Sequence, residues 1–259
     1  MNKIKFTKTL LIGIIICCSS FLLLQQKPVI YIIGDSTVRN TTKPGDLWGW
    51  GSIIGDFFDT TKISISNQAM AGRSTRTFIK EGRWDKVLST LKAGDYVIMQ
   101  FGHNEGSKPD TSRAGYRGVI RGTGEDSLVL NWGDGKQEIV HSYGWYIRKF
   151  IRDTKAAGAI PIVCSFIPRN DWKDGKVIRP KNSFGQHAAE VAQQEKVGFI
   201  DLNNIVADKY DALGEEAVKP FFPKEHTHTS YEGARLNAAS VVEGLRQLKT
   251  CSLNNYLLN

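Results

Sequence analysis

The chain is 259 residues long, with 41% hydrophobic, 10% aromatic and 23% charged positions. These proportions exclude a disordered, collagen-like or disulfide-stapled protein, and a single long apolar run excludes a polytopic membrane protein. The formal charge of +8, from 34 basic and 26 acidic residues, favours acidic partners such as nucleic acid or an anionic polysaccharide without choosing between them.

Lys3, Lys5 and Lys8 precede an almost wholly apolar run from Leu10 to Leu24. A basic start followed by an apolar run of about fifteen residues is the pattern of an export signal, and the run is short for a spanning helix, which needs roughly twenty residues. No clean A-x-A site follows, so residues 1–26 read as a signal peptide or an N-terminal membrane anchor. Lipidation at Cys17 ranks lower, because bulky Ile16 stands where lipoprotein signals take a small residue. Residues 27–259 then form a single domain expected in the periplasm, at the cell surface or in the medium. Beyond the leader only Cys164 and Cys251 remain, too few for a disulfide framework or a cysteine metal site.

Strand-length apolar runs alternate with amphipathic stretches along this domain. The strands are expected at Val29–Ile33, Ile63–Asn67, Tyr96–Phe101, Ile160–Phe166 and Gly198–Asp201, and the helices at about 49–58, 83–92, 141–157, 183–196 and 230–248. Gly158 closes the third of these helices as a C-terminal stop. Near-continuous apolar strands between helices predict an α/β fold whose parallel sheet is covered on both faces. The polar, Gly-rich stretches 104–140 and 169–182 read as long loops or small excursions, where function concentrates.

In such a sheet, ligands bind beyond the carboxyl ends of the strands. The first strand runs into Gly34-Asp35-Ser36-Thr37, the second into a segment containing Gly72, and the third into Gly102-His103-Asn104-Glu105. Before the last helix stand Glu225 and His228, followed by the N-cap candidate Ser230. A histidine can serve as general base to a serine, with an acid fixing its tautomer. An asparagine amide and a bare backbone N–H beside a glycine can receive an oxyanion. Taken singly, each of these residues reads as a turn or capping residue; their order is the specific signal. Asp35, although next to Ser36, is better placed to hold the loop than to act on a histidine. The histidines at 226 and 228 lack the third ligand that a catalytic zinc site needs, and no G-x-S-x-G elbow is present.

On these four blocks the chain resembles the SGNH/GDSL hydrolase superfamily. The segments GDSTV, NQAMAGRSTRTF, FGHNE, HSYGWYIRKFIRDTKAAGAIPIVCSFIPRN and HTHTS resemble one branch in particular, the bacterial rhamnogalacturonan acetylesterases of carbohydrate esterase family 12. The resemblance implies a flavodoxin-like, three-layer α/β/α sandwich around a five-stranded parallel sheet. It implies Ser36 as nucleophile, His228 as base and Glu225 as the supporting acid, in place of the usual Asp. Ser36, Gly72 and Asn104 would form the oxyanion hole. It calls for no metal and no cofactor. The implied partner is an acetylated acidic plant polysaccharide, processed by a monomer whose only membrane contact would be an N-terminal anchor. Substrate-binding candidates are Arg113, Arg117 and Arg169, within a wider loop set of Lys108, Arg121, Lys173, Lys176, Arg179 and Lys181, for carboxylates, and Trp132, Tyr143 and Trp172 for sugar faces. The competing readings are an esterase acting on xylan, lipid or thioester substrates, and a non-catalytic polysaccharide-binding protein. A nucleic-acid role rests on charge alone and finds no motif.

Overall fold

A computed structural model describes residues 27–43 and 45–258; the leader expected over residues 1–26 lies outside the described residues. The described residues begin with β1 (Val29–Gly34), two short 3-10 turns and β2 (Ser64–Asn67), then α1 (Thr75–Lys80), α2 (Arg83–Leu88) and β3 (Tyr96–Gln100). A hairpin follows, β4 (Ser127–Asn131) and β5 (Gln137–His141), then α3 (Tyr143–Ala156) and β6 (Ile160–Cys164). The small hairpin β7 (Trp172–Lys173) and β8 (Lys176–Val177) leads to α4 (Phe184–Gln194), β9 (Gly198–Ile200), α5 (Leu202–Leu213), α6 (Glu215–Val218) and α7 (Tyr231–Gln247).

The five expected strands pair in the order β2-β1-β3-β6-β9, and every pairing is parallel. Alternate side chains of β1, β3, β6 and β9 feed two cores, while edge strand β2 adds Ile65 to one of them. Ile30, Ile32, Ile98, Ile162 and Ile200 pack with α5, α7 and the 3-10 turns around Trp50 and Ile54. Tyr31, Ile33, Val97, Met99 and Val163 pack with α1 to α4. Burial on both faces is why β1, β3 and β6 read as unbroken apolar runs, and the result is the expected three-layer α/β/α sandwich.

Three features differ from the sequence reading. The helix expected at 49–58 is a pair of 3-10 turns, Trp50–Ser52 and Ile54–Phe57. A Cβ on Gly49 or Gly51 would lie 2.4 Å from backbone atoms of Val38. These glycines therefore let this segment press against the turn after β1, and an irregular backbone results. Part of the 104–140 excursion is the β4–β5 hairpin. Helices α1 and α5 and the short α6 go beyond the expected set. The caps follow ordinary rules: the side chains of Ser142, Ser183 and Ser230 accept backbone N–H bonds at the starts of α3, α4 and α7. Among the described residues, Cys164 and Cys251 are free thiols.

Candidate active site

The turn after β1 is built by Asp35. Its backbone carbonyl accepts the N–H groups of Val38 and Arg39, and its Oδ1 accepts the Thr37 N–H at 2.9 Å and the Thr37 hydroxyl at 2.7 Å. Asp35 is fully buried and holds the loop, as expected. Thr37 in turn accepts from Gln100 Nε2 at 2.8 Å, and Gln100 Oε1 accepts from Trp50 Nε1 at 2.8 Å. A buried chain of polar contacts thus fixes the turn to the end of β3 and leaves Ser36, at its apex, half-buried.

Ser36 Oγ stands 2.7 Å from His228 Nε2, and His228 Nδ1 stands 2.7 Å from Glu225 Oε1. The two contacts form one line from a hydroxyl through an imidazole to a carboxylate. The longer acid fits its place: Oε1 also accepts the His228 backbone N–H at 2.7 Å, and Oε2 accepts the Thr227 N–H at 2.9 Å. Partial burial pushes the Glu225 pKa up, but the bonds from His228 and Thr227 outweigh it and hold the carboxyl below the ordinary range. Glu225 is therefore ionised at neutral pH and stabilises the imidazole tautomer that carries hydrogen on Nδ1. His226 is turned elsewhere, with Nδ1 2.7 Å from Asp171.

The other expected oxyanion-hole donors lie on the loops that follow β2 and β3. Gly72 has φ of +75°, a left-handed conformation that glycine adopts without strain, and the Met70 N–H ties its loop to the Gly34 carbonyl at 3.0 Å. Among the described residues, neither the Ser36 nor the Gly72 backbone N–H has an acceptor. Asn104 Nδ2 donates to the Arg73 carbonyl at 3.1 Å and keeps a second N–H, while its Oδ1 accepts from Arg117 at 2.8 Å. Glu105 clamps the region from behind, accepting the Thr75 N–H at 2.8 Å and the Asn104 N–H at 2.9 Å.

Burial, with Asp35 nearby, pushes the Glu105 pKa up to about 8, against those two backbone bonds. The folded chain therefore keeps this proton in a pH range where the unfolded chain, with an ordinary value of 4.5, has lost it. Stability from this group declines as pH rises through that window. Glu105→Gln is expected to flatten the decline; urea unfolding of both proteins at pH 5 and pH 8 measures it, and equal changes in the two would refute the raised value. His103 lies edge-on to Phe166, and burial lowers its pKa to about 4, which leaves it neutral.

A cavity of about 310 Å³ adjoins the site through His103, walled by Gly102, His103, Phe166, Phe184, three cations, Arg121, Arg169 and Lys181, and one carboxylate, Asp171. Of the other candidates, Arg117 is bound to Asn104 and Arg113 is exposed on the same loop. Trp132 stays on the β4–β5 hairpin, where Lys80 lies over its ring at 3.9 Å and its Nε1 donates to Glu138. Trp172 Nε1 bonds Asn170, and the ring packs on the core. Tyr143 is fully buried, its hydroxyl donating to the Phe101 carbonyl, so it is a core residue and meets no sugar. Thr37, Gln100, Trp50 and Arg76 escape sequence reasoning. Only Gln100, the lone polar residue in the buried run YVIMQ, offers a signal.

A serine–histidine–carboxylate line at the strand ends of a flavodoxin-like sheet, outside any G-x-S-x-G elbow, is an arrangement of ester hydrolases built apart from the common α/β-hydrolase plan. The chain belongs to the GDSL-like lipase/acylhydrolase family, whose pattern matches residues 32–236, and it is a carboxylic ester hydrolase. Among its relatives is a rhamnogalacturonan acetylesterase of Emericella nidulans, 33% identical over 83% of this chain and 84% of that protein. A probable rhamnogalacturonan acetylesterase of Bacillus subtilis, YesY, is 26% identical over 85% of this chain and 93% of its own length. The crystal structure of YxiM from Bacillus subtilis superposes over 87% of this chain with a TM-score of 0.69 at 23% identity; this chain spans 58% of that longer structure. The acetylxylan esterase Axe2 from Geobacillus stearothermophilus gives a TM-score of 0.58 at 13% identity, over 84% of this chain and 93% of its own.

Proposed function

We propose that this chain removes O-acetyl groups from rhamnogalacturonan through an acetyl-serine intermediate. The observation that carries this reading is the line from Ser36 through His228 to Glu225, with the Ser36 and Gly72 backbone N–H groups unengaged among the described residues. Ser36 Oγ attacks the acetyl carbonyl carbon while its proton passes to His228 Nε2. The carbonyl oxygen takes up negative charge and is received by the Ser36 and Gly72 N–H groups and the Asn104 amide. The tetrahedral species collapses, and the departing sugar oxygen takes the proton from His228. Water then gives a proton to His228 and attacks the acetyl-serine. Acetate leaves as Ser36 regains its proton.

An acidic polymer as substrate is supported by the relatives' activities and by Arg121, Arg169 and Lys181 on the adjoining cavity wall, since guanidinium groups pair well with carboxylates. The basic start and apolar run of residues 1–26 support action outside the cytoplasm.

The test is acetate release by the wild-type chain from acetylated rhamnogalacturonan, acetylated xylan and a long-chain ester in parallel. Preference for the pectic polymer is expected. Preference for xylan or the long-chain ester would keep the mechanism and discard the substrate. Glu225→Gln is expected to lower kcat by roughly 10- to 100-fold, because an amide can offer a donor to Nδ1 and favour the wrong tautomer. The half-exposed position of Glu225 limits the loss relative to a buried acid. A kcat within twofold of wild type would remove Glu225 from the mechanism.

A further inference from the structure

Arg117 is set apart from most arginines of this chain by what it touches. Arg73, Arg76, Arg83, Arg148, Arg152, Arg179 and Arg235 all pair with carboxylates. Among the described residues Arg117 has no carboxylate partner, and its Nε is buried without an acceptor. One terminal nitrogen sits 2.8 Å from Asn104 Oδ1, and the same nitrogen lies 3.9 Å from where a Cβ on Gly72 would stand. The guanidinium therefore reaches the two residues whose N–H groups would receive the ester oxygen.

Its backbone is held as firmly. Arg117 ends a 3-10 turn, Gly115–Arg117. The nearly inaccessible Arg76 donates to the carbonyls of Gly115 at 3.0 Å and Gly118 at 2.9 Å, one on each side of Arg117. Arg76 is itself anchored by both oxygens of Glu138. A continuous run of contacts thus leads from the β4–β5 hairpin to the Asn104 amide.

We infer that Arg117 is a positioning residue for the oxyanion hole: it fixes the Asn104 amide with its N–H toward the ester oxygen and polarises it. An asparagine amide turned end for end has nearly the same shape, so hydrogen bonds decide its orientation. A guanidinium only donates, so Oδ1 must face Arg117 and Nδ2 must face away. A cation kept without a counter-charge becomes favourable when negative charge develops beside it in the transition state. The inference rests on the esterase mechanism above and assigns a part in it that is distinct from binding a substrate carboxylate.

The experiment is a double-mutant cycle of Arg117→Met and Asn104→Ala, read with p-nitrophenyl acetate, an ester that carries no carboxylate. Arg117→Met is expected to lower kcat about 10- to 100-fold with KM within threefold and an unchanged melting temperature. In the Asn104→Ala background the same change is expected to cost less than threefold. Arg117→Lys, which keeps the charge but loses the planar fork, should fall between, and it carries the cycle if the methionine variant does not fold. An unchanged kcat, or an equal loss with and without Asn104, would overturn the inference. So would a loss confined to KM on the acidic polymer, which would make Arg117 a carboxylate ligand. If Asn104→Ala alone leaves kcat intact, the oxyanion-hole assignment itself fails, and the two failures are separable.

Discussion

Ser36→Ala is expected to lower ester turnover by about 10⁴-fold or more while leaving the fold unchanged. Both halves follow from the same contacts. The Ser36 hydroxyl has one hydrogen bond, to His228 Nε2, and sits half-buried at the apex of its turn. The turn is held by Asp35, Thr37 and Gln100, none of which needs Ser36 Oγ. Removing an oxygen from such a place changes stability by about 0.5 kcal/mol or less. The chemistry, by contrast, loses the atom that forms the covalent intermediate. Losses near 10⁶ in kcat accompany removal of a triad serine elsewhere, and the remainder comes from binding and the oxyanion hole. Acetate release and a melting curve on the same preparation test both statements. A folded variant that keeps a tenth of wild-type turnover would remove Ser36 as nucleophile and, with it, the role of the line to His228.

How much of this is legible in the sequence depends on how far apart the partners lie. The inner strands are legible because burial on both faces leaves runs such as YVIMQ with no exposed position, whereas edge strand β2, SISN, has no buried residue and is marked only by its place before the Gly72 segment. Ser36, His228 and Glu225 are legible because each stands at a recognisable boundary, after a strand or before a capped helix. The β4–β5 hairpin is obscure for a physical reason: both of its faces are partly wet, with Val129 and Ile139 more than half exposed, so no clean alternation marks it. Helix α5 follows β9 after a single residue, Asp201, which caps it, and no loop composition announces its start. The supporting residues are hidden by sequence distance. Gln100 meets Thr37 across 63 positions and Trp50 across 50, and Arg76 meets Glu138 across 62. An arginine in a polar string such as Arg73-Ser74-Thr75-Arg76-Thr77 reads as a solvated charge until the fold shows which carbonyls it holds.

Arg76→Met is expected to be the most destabilising of these single changes and to impair catalysis through Arg117. The Arg76 side chain is 1% exposed and Glu138 is 14% exposed. Breaking a buried pair by removing one partner costs about 3–5 kcal/mol, because a charge is left without compensation. Here Lys80 and Trp132 still contact Glu138, which places the loss near the lower end. The carbonyls of Gly115 and Gly118 also lose their donor. A loss of about 3 kcal/mol corresponds to a melting temperature lower by roughly 6–12 °C in a domain of this size. The second variant, Arg76→Met with Glu138→Leu, separates the two consequences. Replacing both members of a buried pair by apolar groups is often close to neutral, so the part of the loss that comes from the uncompensated Glu138 charge should return, while the smaller part from the two carbonyls stays. The turn that carries Arg117 stays without its anchor, so kcat on p-nitrophenyl acetate should remain depressed. Recovery of stability and kcat together would mean that the turn holds its shape without Arg76. A depressed kcat in a protein that melts like the wild type would show that Arg76 acts on the oxyanion hole through the Gly115–Gly118 carbonyls, separately from its contribution to the fold.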